Sequence, residues 1–142
     1  MTDVVVCVRS INTLADEEPI ESISAGTMER QGDTLTLHYQ ETTEDEVFST
    51  TLTVVDGSRA LLQRHGPLEG YRMTIEQGRR HLCHYETGFG SMTIGIFGEQ
   101  IRSRVGTMGG KIELTYTMDI NAQLSGRNQV EISVRPKETP LQ

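Results

Sequence analysis

Apolar and polar residues alternate with a period of two along most of the chain, the pattern of strands that bury one face. Leu35, Leu37 and Tyr39 alternate with Thr34, Thr36, His38 and Gln40, and Phe48, Leu52 and Val54 with Ser49, Thr51 and Thr53. Tyr71, Met73 and Ile75 repeat the pattern, as do Met92, Ile94 and Ile96, then Ile112 to Ile120, then Val130, Ile132 and Val134. Asp3–Ser10 and Ile20–Arg30 are rich in β-branched residues and read as two further strands. Turn signals stand between these runs at Gln31-Gly32-Asp33, Asp56-Gly57, Glu69-Gly70, Gln77-Gly78, Gly88-Phe89-Gly90, Gly109-Gly110 and Ser125-Gly126. Asp56-Gly57 suits a two-residue type I′ turn. Gln40–Glu46 reads as a longer loop or strand end, and Asn12–Glu18 as room for one helical turn that Pro19 stops. No long stretch carries the helical period. The expected fold is all-β: a single antiparallel meander of about 8–10 strands, closed as a barrel because so many strands in one sheet must curl and closure removes the edges. Gly26, Gly95 and Gly98, inside strands, are expected at kinks or bulges.

Composition narrows the class. The 142 residues suit one domain, 1–142, with 137–142 expected to fray. The apolar fraction can build one core, and no stretch approaches the ~18 apolar residues of a membrane-spanning helix. The start, Met1-Thr2-Asp3, is acidic where a signal peptide would be basic, so the expected compartment is the cytoplasm. Cys7 and Cys83 are then expected as free thiols rather than a disulfide.

The net charge of −7 is unevenly spread. Residues 1–46 hold 11 acids against Arg9 and Arg30, a sum of −9; residues 47–142 hold 11 bases and 9 acids, a sum of +2. The acids are densest at Asp16-Glu17-Glu18 and Glu44-Asp45-Glu46. A net acidic chain gives no support to nucleic acid or an anionic membrane as partner. Arg outnumbers Lys 11 to 2, which suits paired carboxylates across strands and favours a dipolar surface over a dedicated anion-binding face.

Candidate chemistry is sparse. His81-Leu82-Cys83-His84 carries metal-ligating types, but on a strand His84 faces away from His81 and Cys83, and His38 or His65 would have to complete a site. No metal is expected. The register around this segment has two readings. A two-residue turn at Gln77-Gly78 sets Met73 opposite Leu82 and Tyr71 opposite His84. A three-residue turn sets Met73 opposite His81 and Tyr71 opposite Cys83. The second is preferred because it gathers Tyr71, Met73, Cys83 and Tyr85 on the inner face. There is no Gly-x-Ser-x-Gly elbow, and neither Gly88-Phe89-Gly90-Ser91 nor Gly106–Lys111 leads into a helix as a phosphate loop must. No cofactor and no catalytic residue are expected.

Leu62-Gln63-Arg64-His65-Gly66, Tyr85-Glu86-Thr87-Gly88-Phe89-Gly90, Gly110–Tyr116 and Asn128–Ile132 together resemble the YwiB-like family of small bacterial proteins of unknown function. Relatives commonly carry Pro after Tyr-x-Thr, where this chain has Gly88. The resemblance implies a lipocalin-like (calycin) barrel in a bacterial cytoplasm and supplies no activity. Arg64 stands out on its own chemistry: it could hold an anionic ligand at a barrel mouth or close the barrel with a salt bridge. Tyr85 and Tyr116 could hydrogen-bond a ligand or point a hydroxyl to the rim. The candidate ligand-binding set is Arg64, Tyr85, Thr87 and Tyr116.

The favoured function is noncatalytic binding of a small apolar or anionic molecule at the mouth. The alternative is a homodimerisation or protein-interaction module, and a third reading is a small hydrolase or isomerase using His84, Arg64 or a carboxylate.

Overall fold

The computed structural model describes residues 1–14, 18–43, 46–67, 69–87 and 89–137, with the side chains of Thr43 and Thr87 outside that description. Its ten strands are β1 (Thr2–Asn12), β2 (Ile20–Gln31), β3 (Thr34–Thr43), β4 (Glu46–Val55), β5 (Arg59–His65), β6 (Gly70–Glu76), β7 (Arg80–Thr87), β8 (Gly90–Gly106), β9 (Gly109–Ile120) and β10 (Gln123–Pro136). Each pairs antiparallel with its sequence neighbours, and β1 closes on β10. This is the expected meander closed as a lipocalin-like barrel. No helix among the described residues is long and apolar enough to cross a membrane.

Several local expectations change. Asp56 and Gly57 both take positive φ, and Ser58 N–H donates to the Val55 carbonyl at 3.2 Å, as a type I′ turn requires. The register nevertheless pairs Val55 with Arg59, so the loop has three residues, not two. Ser125-Gly126 is not a turn. The chain reverses at Asn121-Ala122, both left-handed, and a register shift between Leu124 and Gly126 puts the expected turn inside β10 as a bulge. Of the stretch expected as a loop or strand end, Gln40–Thr43 is strand. β1 runs to Asn12 before a turn at Thr13-Leu14; the rest of the expected helical turn, Ala15–Glu17, lies outside the described residues. So do most of the two acid clusters, Gly88, and the tail from Glu138.

The β6–β7 hairpin follows neither expected register throughout: it opens on the two-residue turn, but Tyr71 then faces Tyr85 rather than His84 or the preferred Cys83. Arg79 N–H donates to the Glu76 carbonyl and the two residues bridge, so Gln77-Gly78 is a two-residue turn. Further along, Tyr71 pairs with Tyr85. The sum of partner numbers rises from 155 to 156 between these points, a slip of one residue. That slip brings Tyr71, Met73, Cys83 and Tyr85 to the inner face, because alternation would otherwise send one strand's apolar set outward. Gly98 makes the slip sterically accessible: it lies against the Glu76 backbone, where a Cβ would overlap, and it opens the bulge between Gly98 and Gln100 in β8.

Three rows of inward side chains run across β2–β6. At one end Arg30, Leu35, Val54, Ala60 and Ile75 are paired in sequence, and above them Met28, Leu37, Leu52, Leu62 and Met73. Leu37, Leu52, Ala60 and Ile75 are fully buried. Arg30 lies across the lower end, its Nη2 donating to the Val105 carbonyl at 2.6 Å. The third row changes character within two residues of the apolar one. On β3–β7 it reads Tyr39, Thr50, Arg64, Tyr71 and Tyr85, each directly opposite the next.

Candidate functional site

The polar row marks the open end of the barrel. Above the apolar rows a cavity of about 190 Å³ remains. Its β3–β6 wall presents Tyr39, Glu41, Thr50, Arg64 and Tyr71; the facing wall from β1, β9 and β10 presents Val8, Leu114, Val130 and Ile132, with Tyr116 beside them and Leu62 as floor. A smaller space of about 60 Å³ opens on the other side of Arg64 and Tyr71, bounded by Phe48, Glu69 and Tyr85. All four tyrosines of the chain line one or the other of these spaces. Barrel diameter grows with strand number, and since about eight strands already suffice either to fill with side chains or to hold one small ligand, a ten-strand barrel has room for a cavity.

Arg64 is held by an aromatic stack rather than by a carboxylate. Its guanidinium lies 4.3 Å from the centre of the Phe48 ring, a contact worth about 0.5–2 kcal/mol. Phe48 in turn requires Gly66, where a Cβ would overlap the ring. Tyr71 and Tyr85 stack with centroids 5.5 Å apart and planes 18° from parallel. Two polar atoms on this row, Arg64 Nε and Thr50 Oγ1, are buried with no well-formed hydrogen bond among the described residues, although Thr50 approaches the Tyr39 phenol and another guanidinium nitrogen of Arg64 the Tyr71 phenol. Thr50 is only 3% exposed. Orphaned buried polar atoms are few in folded proteins, and each calls for a physical reason. Gly66→Ala is expected to displace Phe48 and lower stability by about 1–3 kcal/mol in urea unfolding, as overpacking does.

Burial pushes the Tyr39, Tyr71, Tyr85 and Tyr116 phenols up from their ordinary value. At Tyr39, Glu41 raises the value further while Arg64 draws it down; at Tyr71, Arg64 draws it down more than Glu41 raises it. The linkage follows from the sign. A phenol that stays protonated in the fold but ionises near pH ~10 in the unfolded chain stabilises the fold fully below pH ~10. That contribution is lost as pH rises through the higher folded value. Thermal stability is therefore expected to fall steeply above about pH 10, with phenolate absorbance appearing only as the chain unfolds. Tyr39→Phe is expected to flatten that fall.

Of the residues expected to bind a ligand, Arg64 and Tyr116 line the larger cavity and Tyr85 the smaller one. The Thr87 side chain lies outside the described residues. No salt bridge involving Arg64 exists among the described residues, so closure of the barrel by an Arg64 ion pair does not occur there. The other bases match the dipolar-surface reading: Arg9 pairs with Glu21, Lys111 with Glu131, Arg127 with Glu99, and Arg80 with Asp119 at 2.6 Å. The Arg80 pair holds the Asp119 carboxyl below its ordinary value.

Sequence reasoning missed Thr50, Tyr71, Tyr39 and Glu41 as site residues. For Tyr39, Glu41 and Thr50 the parity of β3 and β4 was the available signal, since residues 35, 37, 39, 41 and residues 48, 50, 52, 54 share the inner face; Tyr71 reads as inward from the sequence but not as a site residue. The His and Cys residues do not converge. Cys83 is buried inside, and Cys7 lies half-buried on β1 in the opposite phase to inward Val6 and Val8; both are free thiols. His84 bonds Thr93 at 3.3 Å, His38 bonds Thr51 at 3.0 Å, and His81 bonds Glu76 at 2.9 Å, lowering the Glu76 pKa. Among the described residues no three metal-ligating side chains gather.

The crystal structure of the ywiB protein from Bacillus subtilis is similar to this barrel with a TM-score of 0.83, at 20% sequence identity, covering 96% of this chain and 93% of that one. At that identity the likeness is one of fold. No curated protein matches the chain by sequence. The model of a domain of unknown function, DUF1934, matches residues 6–132, nearly the whole barrel, and the chain belongs to that family.

Proposed function

We propose that this protein binds a small molecule with an anionic group and an apolar body in the mouth of the barrel, without transforming it. One observation carries the reading: Arg64 Nε and Thr50 Oγ1, on paired strands, are buried without a well-formed hydrogen bond among the described residues, and both residues line the same cavity. A ligand oxygen would satisfy both atoms, and the Arg64 charge selects an anion. The apolar wall of Val8, Val130 and Ile132 receives the rest of the molecule. The cavity is below the ~300–1,000 Å³ typical of drug-sized ligands, so the ligand is small.

Native mass spectrometry with a mixture of small carboxylates, amines and neutral sugars tests this. Wild-type protein is expected to retain a carboxylate that Arg64→Met does not. Equal retention by both proteins, or retention of the neutral and cationic compounds alone, would overturn the reading. Thr50→Val gives an independent prediction. Removing an unsatisfied buried hydroxyl is expected to leave the unliganded fold as stable as wild type or more stable by about 1 kcal/mol, while affinity for the retained anion falls.

A further inference from the structure

We infer that the mouth cavity accepts a zwitterion, with a carboxylate held by Arg64 and an ammonium held by Glu41, as in a free amino acid with an apolar side chain. This rests on the binding role proposed above and specifies its ligand class. Glu41 follows Tyr39 by two residues on β3 and so shares its inward phase, one step nearer the rim than the row containing Arg64. Both charged groups line the same cavity. Neither enters an ion pair among the described residues, although exterior charges such as Arg80 and Asp119 do pair.

A simple anion in that space would gain Arg64 and face repulsion from Glu41. A simple cation would face the reverse. A dipolar ion complements both at once, and charge complementarity of this kind serves specificity by penalising the wrong partner. The hydroxyls of Thr50, Ser10 and Ser22 lie in the same lining and can accept or donate to either end. The aliphatic wall of β1, β9 and β10 lies across from the charged one, suited to an apolar side chain.

Three probes with the same branched body separate the charges: leucine, isocaproate and isoamylamine. Their affinities are read from tyrosine ring resonances in NMR titrations of the full chain. Leucine is expected to bind at least tenfold more tightly than either single-charge analogue. Glu41→Gln is expected to weaken leucine and strengthen isocaproate until the two are equal. Isocaproate binding as tightly as leucine to wild type, or a Glu41→Gln change that moves neither, would overturn the zwitterion and leave the anion-binding role standing. Absence of any ring perturbation by all three at about 10 mM would overturn both.

Discussion

Arg64→Met is expected to lower affinity for the bound anion roughly 10- to 150-fold while leaving the fold intact, the range expected for removing a hydrogen bond to a charged group. The separation of the two effects is the informative part. Arg64 has no ion-pair partner among the described residues to strand, and its Nε is already unsatisfied in a buried position. Replacing it with a long apolar side chain removes a half-buried residue whose buried Nε has no well-formed bond to lose, so little stability is lost. The stack on Phe48 is partly retained, because a Met sulfur also packs well against an aromatic ring. Unchanged urea unfolding combined with lost binding, measured by titration calorimetry, is the signature of a group kept for a ligand. A large loss of stability would instead make Arg64 a structural residue.

Leu52→Ala is expected to give the opposite result: a loss of about 2–5 kcal/mol in unfolding free energy, with binding retained by the molecules that stay folded. Leu52 is fully buried at the centre of the apolar row, opposite Leu37 on one side and Leu62 on the other. Against a total stability of ~5–15 kcal/mol for a domain, this loss shows as a large fall in denaturation midpoint. Thr50 stands two residues earlier on the same strand and face, where Thr50→Val is expected to cost nothing in stability. The pair tests whether the interior changes from packing to binding between those two positions.

Much of the barrel was legible because the alternation of period two directly reports which face a strand buries. Leu35, Leu37 and Tyr39, or Ile112, Leu114 and Tyr116, need no tertiary information to be placed inside. The site was harder to read because its residues interrupt that signal. Thr50 resembles the threonines that cover outer faces, and only its parity with Phe48 and Leu52 distinguishes it. Arg64 follows two adjacent leucines, Leu61 and Leu62, so the phase of β5 is ambiguous until pairing with Thr50 and Tyr71 sets it. Glu41 sits in an acidic stretch that reads as either a loop or a strand end, so its inward phase is fixed only by the strand carrying on through Thr43. The slip in the β6–β7 hairpin depends on Gly98 of a third strand, a contact that local turn chemistry does not encode.

The Arg64 Nε–H resonance, followed by nitrogen-15 NMR during titrations with leucine and with isocaproate, tests the binding role of the mouth most directly. That proton is expected to shift and to exchange more slowly with solvent as at least one of the two ligands saturates the cavity, and the change should be small in Thr50→Val. An Nε–H resonance that stays fixed with both ligands, or that is already bonded within the free protein, would contradict a ligand site at Arg64.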